Sequence, residues 1–178
     1  EVSPKSALPP PPPAPSYWVY LPFAAARGNH MPFPATEILD DFNRPNEGPP
    51  PSASWVQFQA EPQFVVSDNH IQGQFLNAFN TWNTAYGPNC EAYIAISFLP
   101  ATPSEVYLGI RYDGVSAYYI SLNTAGDLKL MRFFPYLLLD QTTVSTVAGD
   151  KIGIRAIGNT ISVWFQPLGG AWTSVLQV

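Results

Sequence analysis

Beyond residue 38 the sequence never sustains a 3.6-residue hydrophobic period, and that constrains its folding more than any other feature. Short runs rich in β-branched and aromatic residues recur instead, cut by clusters of Gly, Pro, Asn and Asp. The pattern predicts strands at residues 54–59, 63–66, 70–74, 92–98, 106–112, 117–123, 128–134, 152–157, 160–166 and 172–178. Turn signals separate them: Tyr112-Asp113-Gly114, Thr124-Ala125-Gly126-Asp127, Ala148-Gly149-Asp150 and Gly158-Asn159. Ile152, Ile154 and Ala156, then Ile161, Val163 and Phe165, alternate with other residues as half-buried antiparallel strands do. Many short strands joined by short loops predict an all-β, two-sheet antiparallel jelly-roll sandwich rather than an α/β fold.

The first residues follow another rule. Pro4, the unbroken run Pro9 to Pro13, and Pro15 exclude helix and favour an extended polyproline II rod of ~3.1 Å per residue. Residues 17–26, Tyr-Trp-Val-Tyr-Leu-Pro-Phe-Ala-Ala-Ala, then read as a strand, with Pro22 suited to an edge. The organisation expected is therefore an extended proline-rich segment over residues 1–36, containing the strand-like stretch 17–26, followed by a sandwich over residues 37–178.

Composition narrows the function. Charged residues are 12% of the chain, against about 25% in ordinary globular proteins, so much of the surface is neutral. Such a surface suits extracellular life, contact with sugars or packing against further copies. The net charge is −5 and the eight cations are scattered, which argues against nucleic acid. No apolar stretch reaches the ~20 residues of a spanning helix, so membrane insertion is not expected. Cys90 is alone, forms no internal disulfide, and reads as a small buried hydrophobe.

Residues 40–178 resemble the concanavalin A-like jelly rolls, the group that includes laminin-G-like domains and many secreted bacterial modules. The likeness rests on Asp40-Asp41-Phe42-Asn43-Arg44, Trp55, Ile71-Gln72-Gly73, and Val106-Tyr107-Leu108-Gly109-Ile110-Arg111. Ala117-Tyr118-Tyr119-Ile120, Leu128-Lys129-Leu130-Met131-Arg132, the stretch Ala148 to Arg155, and Asn159 to Trp164 extend it. The resemblance implies the sandwich, and a calcium ion near the first strand to which Asp40 or Asp41 would contribute; otherwise those aspartates cap a turn and pair with Arg44. Domains of this kind continue beyond the strand around Trp172 with a last strand that pairs with the first. Either this chain is cut short, or another segment supplies that strand.

Catalytic constellations are not found. Glycoside hydrolysis needs two carboxylates ~5–9.5 Å apart, and the Glu-x-Asp-x-Glu run of jelly-roll hydrolases does not occur. Asp40 and Asp41 on a strand would point to opposite faces. His30 and His70 sit in no nucleophile motif, and the two histidines with one cysteine are too few for a zinc site. The chain reads as a non-enzyme with no cofactor beyond that calcium.

Two functions remain. In the first, an extracellular structural subunit polymerises head-to-tail with copies of itself, and Tyr17, Val19, Leu21 and Phe23 point one way into a neighbour's groove; the same stretch folding back on its own domain as the missing strand would instead give a monomer. In the alternative, a carbohydrate-binding module presents aromatic faces from Trp55, Trp82, Trp164, Trp172 and Tyr118 to a polysaccharide. Trp82, flanked by Asn80, Thr81 and Asn83, is the prime candidate for sugar contact. Phe133 and Tyr136 open a strongly apolar run, 133–139, that is either core or a partner surface.

Overall fold

A computed structural model of the chain describes residues 16–20, 32–57, 63–73, 78–84, 86–97 and 105–178. Its strands are β1 (Ser16–Tyr20), β2 (Trp55–Gln57), β3 (Phe64–Ser67), β4 (His70–Gly73), β5 (Phe79–Trp82), β6 (Cys90–Ala95) and β7 (Glu105–Ile110). They continue as β8 (Ala117–Asn123), β9 (Asp127–Phe133), β10 (Leu137–Thr143), β11 (Lys151–Ile157), β12 (Thr160–Gln166) and β13 (Thr173–Gln177). The described chain has no helix.

The predicted sandwich is present. One layer is the antiparallel meander β7-β8-β9-β10, and the other is antiparallel in the order β13-β12-β11-β6. Leu108, Ile120, Leu122, Leu128 and Leu130 from the first layer meet Ala92, Ile152, Ile154, Ile161 and Val163 from the second, all buried. Burial of each large aliphatic side chain contributes roughly 1.5–3 kcal/mol. Cys90 lies in the same core.

The first layer continues past β7, through β1 to β5 and β2, giving seven strands in the order β10-β9-β8-β7-β1-β5-β2. β1 is parallel to both its neighbours: Tyr17 is opposite Val106, and Val19 lies between Leu108 and Asn80. The N-terminal strand thus occupies an interior place rather than an edge. Residues 21–31, with Leu21, Pro22, Phe23 and His30 among them, lie outside the described residues.

Two strands depart from the sequence pattern. β5 falls where the polar residues suggested a loop. Asn80 is fully buried there and accepts the Phe64 N–H at 2.6 Å while donating to the Val56 carbonyl at 3.2 Å. β10 falls in the apolar run, as an edge strand with Leu137 and Leu138 exposed. The β3–β4 hairpin turns at Asp68 and Asn69, both with positive φ as a two-residue hairpin loop requires.

Candidate assembly interface

Strand alternation predicts that one face of β11 points to solvent, yet Gly153 and Arg155 are buried along with Ile152, Ile154 and Ala156. The cover is residues 32–36, which the sequence pattern assigned to the linker. Phe33 stacks on Trp164 with ring centroids 5.0 Å apart and planes 4° from parallel, and it meets Trp172 edge-on at 4.7 Å. Gly153 makes room for it: a Cβ there would run into the Phe33 ring.

Beside the ring lies a buried ion pair. Glu91 and Arg155 are cross-strand partners on β6 and β11, and the Arg155 Nε donates to Glu91 at 2.7 Å. The other Glu91 oxygen accepts the Ala35 N–H at 2.6 Å and the Thr36 hydroxyl at 2.8 Å. Arg155 also donates to the Pro32 carbonyl at 2.7 Å and lies over the Phe33 ring at 4.9 Å. A buried pair persists only when its remaining hydrogen-bonding capacity is met. Residues 32–36 meet it, forming a strap keyed by charge, shape and stacking to the outer face of the four-stranded sheet.

β1 is paired through its main chain on both sides, to β7 and to β5.

The strand directions define two poles. Ser16 lies beside Glu105, the start of β7, at the pole that also holds Asn123, Asp127 and Thr143. Tyr20 lies beside Gly109 at the opposite pole, with Ala117, Phe133 and Leu137. At this second pole Val115 is 60% exposed, Phe134 60%, Tyr136 65% and Leu137 51%. Phe133 is half-buried and packs edge-on against Tyr136 at 5.0 Å. Partial burial pushes the Tyr136 hydroxyl's pKa up. Phe134 has φ +50°, a left-handed conformation costing a bulky residue about 1–2 kcal/mol, although its side chain is mostly in solvent.

The same pole carries a cleft of about 280 Å³ lined by Trp82, Asn83, Thr84, Tyr86, Arg111 and Tyr112. Trp82 packs edge-on against buried Trp55 at 5.2 Å. Arg111 is committed to the carbonyls of Pro88 and Gly158 at 2.5 and 2.7 Å. The five aromatic residues offered for sugar stacking do not share a surface. Trp164 and Trp172 sit under Phe33, Trp55 is core, Tyr118 packs half-buried against that core, and Trp82 alone of the five reaches the cleft.

Asp40 and Asp41 lie in irregular chain, not on a strand. Asp40 receives Arg44 at 2.6 Å, the Trp55 indole N–H at 2.9 Å and the Phe42 N–H at 2.9 Å. Burial pushes its carboxyl up, but these donors more than offset that and hold it below the usual value. Asp41 caps the turn through the Asn43 N–H. Among the described residues no group of three or more acidic, His or Cys side chains could hold a metal, and no helix is long and apolar enough to cross a membrane.

Compared with known proteins, the chain matches no family model, no curated protein and no solved structure.

Proposed function

We propose that this chain is a non-catalytic, extracellular structural subunit that assembles head-to-tail, its N-terminal strand completing the sandwich of a neighbouring copy. The observation that carries this reading is the place of β1. It joins two halves of one sheet, between β7 and β5, and is contributed by a segment that reaches the rest of the chain only through residues 21–31. A strand that pairs on both sides with edges from the rest of its chain can be exchanged with the same strand of another copy, because the contacts in trans repeat those in cis. Sparse charge and a proline-rich lead segment fit a subunit that packs against its own kind. The resemblance to concanavalin A-like modules belongs to the same proposal. Negative-stain imaging of the full chain beside a form lacking residues 1–20, with the strap retained, tests it. Filaments confined to the full chain are expected; uniform single particles from the full chain would sink the reading.

A second reading is favoured by the cleft. Trp82 and Tyr86 offer aromatic surface beside the Asn83 amide, the chemistry of a carbohydrate site. It expects retardation in gels cast with a polysaccharide, lost in Tyr86→Ala. Unchanged mobility across a polysaccharide panel would discard it.

A further inference from the structure

We infer that the apolar pole formed by Val115, Phe134, Tyr136 and Leu137 is a dock for the proline-rich segment, residues 9–15, of a second copy. The inference rests on the assembly reading above, but on different residues. The pole combines two exposed aromatic rings and two exposed aliphatic side chains, with no charged residue between Phe133 and Leu139. Phe134 is exposed although its backbone adopts a conformation that bulky residues avoid. Aromatic surfaces of this kind take up polyproline II ligands, which are already extended and lose little entropy on binding.

The chain supplies such a ligand in Pro9 to Pro13 and Pro15. The strand directions decide which copy receives it. The segment joins the sandwich at Ser16, beside Glu105, at the pole opposite Phe134 and Tyr136. To reach its own dock it would have to reverse and run back along the sheet, roughly 20 Å for seven-residue strands. Pro9-Pro10-Pro11-Pro12-Pro13-Ala14-Pro15 holds no Gly, Asn or Asp to make a tight reversal. A polyproline II segment of seven residues spans roughly 20 Å at ~3.1 Å per residue, enough to reach the dock of a following copy. Donor and acceptor lie at opposite poles, so the contact is heterologous and supports, without replacing, the exchange of β1.

The test uses the full chain with Pro9 to Pro13 each replaced by Ser, which frees the dock of any proline segment from another copy. A fluorescent peptide of residues 1–15 is titrated into it and followed by anisotropy. Saturable binding is expected, weakened at least tenfold when Phe134→Ser and Tyr136→Ser are added. An unchanged thermal midpoint shows that these exposed substitutions leave the fold intact. No binding, or binding indifferent to both substitutions, overturns the inference. The peptide lacks β1, so its result is separate from strand exchange. Peptide binding without filaments would keep the dock and sink the exchange; filaments without peptide binding would do the reverse.

Discussion

The N-terminal segment meets the sandwich at two places, one on each sheet. β1 pairs its main chain with β7 and β5 inside the seven-stranded sheet, whereas residues 32–36 lie on the four-stranded sheet, held there by a buried ion pair, a stacked ring and a glycine that leaves room for it. In the proposed assembly the strap is the contact kept within one copy, and β1, joined to it through residues 21–31, is the contact exchanged between copies.

The largest effect expected from breaking this contrast comes from the ion pair. Glu91→Ala leaves Arg155 buried without its partner and removes the acceptor for Ala35 and Thr36. A loss of about 3–5 kcal/mol is expected, read as an early midpoint in denaturant. A midpoint near that of the parent would show that the strap is not fixed by charge. Gly153→Ala comes next, since the new Cβ would displace the Phe33 ring. Overpacking of this kind costs about 1–3 kcal/mol. A double-mutant cycle with Phe33→Ala should be strongly non-additive, because once the ring is gone the methyl has space. Additive costs would mean that Gly153 serves something other than the strap.

Val19→Pro sharpens the other side of the comparison. It removes one amide from a strand paired on both sides, worth about 1 kcal/mol. Its mark should be local. Amide exchange is expected to quicken in β5 and β7 while the β11–β12 hairpin stays protected. Uniform loss of protection would show that β1 is an inseparable part of the fold and is not exchangeable.

Two strands were legible to the residue: β8 and β12 match their predicted limits. β5 escaped because its buried position is held by an amide rather than by an apolar side chain, so Asn80 looked like loop chemistry. β10 escaped because Leu137 and Leu138 face solvent on an edge, where no alternation is imposed. The strap was illegible for a different reason. Glu91 and Arg155 meet across a sheet from positions 64 residues apart, and the pattern had begun that strand at Ala92, leaving Glu91 outside it. Nothing local marks Gly153 as the seat of Phe33. Of the residues chosen for assembly or partner contact, Tyr17 and Val19 fall in β1, Leu21 and Phe23 lie outside the described residues, and Tyr136 is exposed at the apolar pole.

The smallest effect concerns the start of the sandwich proper, where Asp40 ties Arg44 to the indole of Trp55. Its carboxyl sits below the ordinary value of 3.8, held there by those donors against the effect of burial. A depressed carboxylate contributes stability that is fully present above its unfolded pKa and is lost as pH falls through the folded one. The anchor should therefore be constant at neutral pH and weaken only below about pH 4. Glu47, which also pairs with Arg44, is exposed and can hold the guanidinium only weakly once Asp40 is protonated. The Trp55 indole N–H resonance reports this directly, shifting with acid in the parent but not in Asp40→Asn. The strap, keyed by its own ion pair on the opposite sheet, gives Trp164 no reason to follow the same transition. Parallel shifts at both tryptophans would mean that the two anchors are coupled and that the strap is not an independent lock.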